Sequence, residues 1–200
     1  MPTDKNIIFD FGNVLVRWEP VRSFLPYFGC DHKSFAYFWE HICDADLRNR
    51  IDAGESQREV IAEYQAKFPK YAKPLAMYFD NWEAGLPGEM PGMLELVREL
   101  KSRPDFHIYG LTNWSMETFP QARKRFAVLQ EIDNYVVSGD VKMIKPDTAI
   151  FQLLLNRFEL KAEDCIFVDD NPANVESAKR LGMQGIVFRG AEDLRRLILA

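Results

Sequence analysis

Four short stretches hold side chains whose types and spacing can do chemistry, and each follows an apolar run. That is where parallel α/β sheets place ligand-binding groups, just past the carboxyl ends of strands. Phe9-Asp10-Phe11-Gly12-Asn13-Val14-Leu15 sets a carboxylate at the end of a run, and Gly12 lets backbone approach a ligand closely. Read alone, Asp10 is equally a turn former before Gly-Asn. Leu111-Thr112-Asn113-Trp114-Ser115 gathers a hydroxyl, an amide and the N–H groups of a helix start, which hold anionic oxygens. Ser115 also serves as a plain N-cap. Met143-Ile144-Lys145-Pro146-Asp147 offers an ammonium held extended by the following proline, able to balance anionic charge, or a solvated loop lysine. Phe167-Val168-Asp169-Asp170-Asn171-Pro172-Ala173-Asn174 brings two adjacent carboxylates after a buried run. Helix capping accounts for one of them. Both together repel and call for a cation such as Mg2+, which prefers oxygen ligands.

These groups need a frame. Asn6–Phe9, Phe106–Leu111, Tyr135–Val137, Cys165–Val168 and Gly185–Phe188 are near-continuous in β-branched and aromatic residues. Such runs are parallel strands covered on both faces. Helical patterns lie between the later runs. Leu94, Val97 and Leu100 follow Pro91 as a first-turn residue. Asp147 caps a helix whose Ile150, Phe151, Leu154, Leu155 and Phe158 share a face. Asn171 caps another, with Pro172 at its first position and Gly182 at its end. A last helix carries Leu194, Leu197 and Ile198. The alternation predicts an α/β fold with a parallel sheet.

From Trp18 to Glu89 the rhythm changes and no strand is evident. Phe35, Phe38, Trp39 and Ile42 stand at helical spacing, as a cap core. Ser56-Gln57-Arg58-Glu59 reads as a capping box ahead of Val60, Ile61, Tyr64 and Phe68. An all-helical insertion of ~70 residues is too long for a simple crossover. The expected division is a helical cap over residues 18–87, hinged by Arg17–Pro20 and Gly85–Gly88, on a core of residues 1–17 and 88–200.

The 200 residues carry 25 Lys and Arg against 30 Asp and Glu, for a net charge of −5. This argues against a basic face for nucleic acid or anionic membrane, though not against a local anion site. No run approaches the ~20 apolar residues of a membrane span. Three cysteines, Cys30, Cys43 and Cys165, lack metal spacing and cannot all pair, which fits a reducing compartment. Asp4 and Asp10 bracket an apolar run too short for a signal peptide, so the expected location is cytoplasmic. Oligomeric state is not legible.

The order acid, hydroxyl, lysine, acid pair resembles the haloacid dehalogenase-like hydrolase superfamily along nearly the whole chain, and the helical insertion corresponds to that superfamily's cap. The first motif is most similar to that of small bacterial phosphatases reading Asp-x-Gly-Asn-Val, a subgroup that includes sugar-1-phosphate phosphatases. The resemblance implies a Rossmann-like parallel sheet with the first strand central. It implies Asp10 as a nucleophile that forms an aspartyl-phosphate. Mg2+ would be held by Asp10, the Gly12 carbonyl and Asp170, with Asp169 as ligand or behind it. Thr112 and the Asn113 backbone would bind the phosphoryl group of a small phosphorylated metabolite, and Lys145 would offset charge. Gly12 and Asn13 would line the substrate side.

One position departs from the pattern. Most phosphatases of this superfamily carry an acid–base Asp where this chain has Gly12, and Asn13 cannot carry a proton. General acid–base help contributes about 10²–10⁴-fold, so a sugar 1-phosphate, with its more acidic leaving hydroxyl, is the favoured substrate. At the cap, Arg48, Asn49, Arg50 and Asp52 precede Gly54 and can read sugar hydroxyls or face water. Trp18 either stacks on a sugar or packs the hinge. Two rivals stand: a metal-independent 2-haloacid dehalogenase using the same Asp, and a non-catalytic phospho-ligand binder.

Overall fold

The five apolar runs form five parallel strands in a computed structural model that describes residues 5–199: β1 (Lys5–Phe9), β2 (Phe106–Thr112), β3 (Asn134–Val137), β4 (Cys165–Asp169) and β5 (Gln184–Val187). Asp4, invoked above for the chain start, lies outside the described residues. The strand order is β3-β2-β1-β4-β5, with β1 central. Alternation splits the side chains between two apolar layers. Ile7, Phe9 and Val168 pack on one side with Leu96 and Leu100. Ile8, Leu111 and Phe167 pack on the other with Phe151 and Leu154. Burial on both faces is why these runs read as continuous rather than alternating.

The insertion is helical throughout: α1 (Val21–Phe28), α2 (His32–His41), α3 (Ala45–Asp52), α4 (Gln57–Lys67) and α5 (Ala72–Asp80). It carries an apolar core of its own, in which Phe24, Phe38, Leu47, Ile51 and Leu75 are at most 1% exposed. Asp31, Asp44 and Ser56 cap α2, α3 and α4 by accepting hydrogen bonds from Ser34, Leu47 and Glu59 N–H groups. Phe35 and Trp39, expected in the cap core with Phe38, are only partly buried at its edge.

The remaining helices are α6 (Met93–Lys101), α7 (Phe119–Arg125), α8 (Ala127–Gln130), α9 (Ser138–Val141), α10 (Thr148–Arg157), α11 (Pro172–Arg180) and α12 (Ala191–Leu199). Asp147 and Asn171 cap α10 and α11, each accepting from an N–H two residues on at 2.9 Å. Gly182, at φ +94°, closes the end of α11. Two expectations shift. α6 starts at Met93 behind Gly92 at φ +77°, so Pro91 sits in the preceding turn. Leu197 is 61% exposed, because Leu194 and Ile198, four apart, define the buried stripe of α12 and Leu197 rotates off it. Among the described residues no helix is long and apolar enough to cross a membrane.

Cap and core meet at the hinge and, among other contacts, at the far end of the cap. At the hinge the two crossing segments pair: Arg17 N–H donates to Gly88 O at 2.9 Å and Glu19 N–H to Gly85 O at 2.8 Å. Gly85 makes room for the Trp18 ring, since a Cβ there would lie 2.8 Å from Trp18 Cζ3. At the far end Ser138 Oγ donates to the Asp52 carbonyl at 2.5 Å, and Gln57 N–H donates to Glu117 at 2.8 Å. Gly54, at φ +90°, rests on the Gly139 carbonyl, which a Cβ would approach to 2.4 Å. Gly54→Ala should therefore lose stability twice over, about 1–3 kcal/mol for the backbone conformation alone and more for the clash. Gly182→Ala, with a similar φ but its nearest neighbour at 3.8 Å, meets only the first cost. Urea unfolding of the two variants should rank Gly54→Ala as the weaker; equal losses would mean that the cap tip is not seated this way.

Candidate active site

Strand register assembles the chemistry. Phe9 lies beside Gly110 on β2 and Val168 on β4, so Asp10 emerges next to Leu111 and Asp169. Between these two carboxylates sits the Lys145 ammonium, 2.7 Å from Asp10 Oδ1 and 2.7 Å from Asp169 Oδ2. It also donates to the Leu111 carbonyl at 2.9 Å, which uses all three of its protons. All three side chains are buried: Asp10 is 7% exposed, Lys145 3% and Asp169 0%. A second restraint acts on Lys145 beside the following proline. The Asn113 amide accepts from Lys145 N–H at 2.8 Å and donates to Lys145 O at 3.0 Å, clamping that residue from both sides.

Asp169 is a buried anchor. Its oxygens accept from Lys145, from Asn174 Nδ2 at 2.9 Å and from the Asn171 N–H at 2.8 Å. Asp170 is freer, and its side chain accepts from Asn13 Nδ2 at 3.2 Å. Asn13 sits in the left-handed region at φ +54°, and its Oδ1 accepts from the Trp18 N–H at 2.9 Å. Its amide thus ties the hinge to Asp170.

The cluster carries more negative than positive charge. Burial pushes Asp10 up to about 7, against the pull of Lys145 and with the help of Asp169. Burial also raises Asp170. Burial opposes the charge on Lys145, but Asp10 and Asp169 outweigh it and hold the ammonium above its ordinary value. One cation therefore serves two buried carboxylates, with Asp170 beside them. Asp10, Asp169 and Asp170 each place an oxygen within 4.8 Å of the others, a spacing that fits an oxygen-liganded divalent ion.

Above this floor lies a cavity of about 290 Å³ between core and cap. Gly12 opens onto it, and a Cβ there would meet nothing within 4 Å. All four tryptophans of the chain, Trp18, Trp39, Trp82 and Trp114, line it. The sequence does not mark Trp39, Trp82 and Tyr78 as wall residues, because helical periodicity does not separate a helix's own core from a wall it presents. Arg48 and Asp52, one helical turn apart on α3, face the cavity. Arg48 is partly committed elsewhere: it donates to the Trp39 and Cys43 carbonyls, and its guanidinium lies 4.4 Å from the Trp39 ring centre. Arg50 is corrected. Two positions along the helix from Arg48, it turns outward and pairs with Glu55 and Glu63. Thr112, 1% exposed, ends β2 behind the wall, which Asn113, Trp114 and Ser115 form at that point. Gln57 Oε1 and Asn174 Oδ1, on wall residues, are buried without a partner. Asp52 is pushed up to about 7 by burial, against the attraction of Arg48 and Lys145.

This arrangement of sheet, cap and strand-end cluster has relatives. Residues 5–182 match the family described as haloacid dehalogenase-like hydrolase, and the chain belongs to that family. Over 191 residues it is 36% identical to drimenol cyclase drtB of Aspergillus calidoustus, covering 95% of this chain and 35% of that protein. The chain thus spans about a third of that relative. It is 28% identical over 187 residues to sesquiterpene phosphatase astK of Aspergillus oryzae, covering 92% of this chain and 89% of that one. Its fold is similar to that of a haloacid dehalogenase family enzyme from Bacteroides thetaiotaomicron, solved with magnesium and inorganic phosphate. The TM-score is 0.76 at 19% identity, covering 97% of this chain and 98% of the other.

Removing the shared cation should expose the cost of the cluster. Lys145→Met leaves Asp10 and Asp169 buried without a counter-charge and should cost about 3–5 kcal/mol in urea unfolding near neutral pH. A loss below about 1 kcal/mol, the size of a surface ion pair, would contradict the buried triad.

Proposed function

We propose that this hydrolase is a Mg2+-dependent phosphatase that cleaves a small phosphorylated metabolite through an aspartyl-phosphate on Asp10. The observation that carries the reading is the buried cluster in which one ammonium serves two carboxylates, at the floor of a cavity between core and cap. Asp10, Asp170 and the Gly12 carbonyl are the groups that would hold Mg2+. Asp169 stands behind them, its oxygens taken up by Lys145, Asn174 and Asn171. Bound there, Mg2+ supplies the charge that lets two anions, Asp10 and phosphate, meet. Asp10 attacks phosphorus, and the leaving oxygen departs on the side away from it, toward the cap. Water then releases phosphate, splitting one hard displacement into two easier ones. Lys145 fixes the attacking carboxylate and offsets charge, and the Asn113 backbone is the group on the phosphoryl side, with Thr112 buried behind it.

The cavity favours an organic group with a flat apolar face. A sugar 1-phosphate fits this description: its C–H faces stack on tryptophan, and its hydroxyls can meet polar wall residues such as Arg48 and Asn49. A terpenyl phosphate is the second reading, favoured by the four tryptophans and by the likeness to a sesquiterpene phosphatase. The acid pair speaks against a metal-independent dehalogenase, because halide displacement needs no cation site.

The test is a panel of sugar 1-phosphates, alkyl phosphates and a sesquiterpenyl monophosphate with Mg2+, run beside EDTA and 2-haloacid controls. Phosphate release that EDTA abolishes, and that Asp10→Asn reduces to below about 0.1% of wild type, is the expected result. Because every tryptophan lines the cavity, the preferred substrate should also quench intrinsic fluorescence of Asp10→Asn on binding. Halide release that persists in EDTA would replace the phosphatase reading with the dehalogenase one.

A further inference from the structure

Gly12 leaves this phosphatase without a proton donor beside its nucleophile, and the structure holds another carboxyl group placed to serve. Of the acidic side chains on the cavity wall, Asp10 and Asp170 belong to the floor cluster and Asp52 is the third. It closes α3, at the tip of the cap. The other acids nearby are engaged. Asp44 and Asp46 accept from the Tyr64 hydroxyl, while Glu55 and Glu63 pair with Arg50. The Asp52 carboxylate has no hydrogen-bond or ion-pair partner among the described residues.

Its place is nevertheless set by the core. Ser138 Oγ donates to the Asp52 carbonyl at 2.5 Å, and Gly54, two residues on, rests on Gly139. A merely solvated acid at a helix end would need neither contact. The direction is also right. An in-line attack by Asp10 from the floor sends the leaving oxygen toward the cap, where Asp52 is the wall acid.

Resting on the phosphatase reading above, we propose that Asp52 is the proton donor and acceptor of the reaction. As the bond from Asp10 oxygen to phosphorus forms and the bond from phosphorus to the leaving oxygen breaks, the Asp52 carboxyl gives its proton to that oxygen and an alcohol departs. The resulting carboxylate then takes a proton from the water that attacks the aspartyl-phosphate. Phosphate leaves, Asp10 is restored as a carboxylate, and Asp52 is again protonated. Phosphate ester and water become alcohol and phosphate, with no other reactant. Burial, which favours the neutral form, and the facing Arg48 and Lys145, which favour the charged one, leave both forms accessible near neutrality. Tyr78 of α5, whose hydroxyl burial and the nearby Asp52 hold well above its ordinary value, stays neutral beside it.

Leaving-group dependence tests this. The phosphorylation step is measured by rapid quench with Mg2+ for an alkyl phosphate and for p-nitrophenyl phosphate, whose phenolate leaves without a proton. Asp52→Asn is expected to slow the alkyl substrate by about 10²–10⁴-fold and the aryl one by less than about tenfold. Adding Gly12→Asp, whose side chain has open space, should recover part of the alkyl rate. Equal losses on both substrates would make Asp52 a structural residue, and no loss would remove it from the reaction; either result overturns the proposal. A wild type that releases phosphate from neither substrate fails the phosphatase reading itself, and this proposal with it. A wild type active on both keeps that reading whatever Asp52→Asn does.

Discussion

A single ammonium held between two buried carboxylates organises this molecule. Lys145 touches Asp10 and Asp169 at 2.7 Å each, where water does not screen them. Burying charge is costly unless each group is paired and hydrogen-bonded, and much of the surrounding structure meets that requirement. Asn113 clamps the backbone of Lys145, Asn174 and the Asn171 N–H satisfy Asp169, and the Leu111 carbonyl takes the third ammonium proton. β1, β2 and β4 have to end in register for these groups to meet. The pairing still leaves the cluster short of positive charge. That shortfall is a cost to the fold and a source of affinity for a cation, the usual relation between a strained site and its function.

The cap completes the arrangement by closing a wall over the cluster. The less water that reaches the floor, the stronger each electrostatic interaction there becomes. The cap also supplies what the core lacks. Trp39, Trp82 and Tyr78 give the cavity an aromatic roof, and Asp52 gives it a carboxyl group on the leaving-group side. Gly54 and Ser138 matter because they hold that carboxyl group over the floor and not out in solvent.

Much of this was legible before any coordinates. The strands could be read because burial on both faces makes their apolar runs continuous, and the site followed because such sheets place their chemistry at strand ends. Less legible was the division of labour within the site. Adjacent acids do not announce which one turns inward. Period-two alternation along β4 puts Asp169 on the face of Phe167, whose ring centre lies 5.6 Å from the Lys145 ammonium, and leaves Asp170 beyond the strand end. Arg48 and Arg50 were grouped together by sequence neighbourhood, although two positions on a helix put them on opposite sides. The four-residue step from Arg48 to Asp52 was the usable signal. Trp39 looked like core because an amphipathic stripe marks a buried face without saying whether protein or ligand covers it. Asn113 is marked by its motif, but not the clamp its side chain makes on Lys145, 32 positions away.

Calorimetric titration of Mg2+ into the protein near pH 7, repeated in buffers of different ionisation enthalpy, shows whether the cluster's shortfall of positive charge is met by a cation. With its carboxyl group pushed up to about 7, Asp10 is partly protonated there, and cation binding favours the charged form. One Mg2+ per chain is expected, with a fraction of a proton released, and in Asp10→Asn an affinity at least about tenfold weaker with no proton release from this group. Equal affinity in the two proteins, or no Mg2+ binding by wild type, would contradict it.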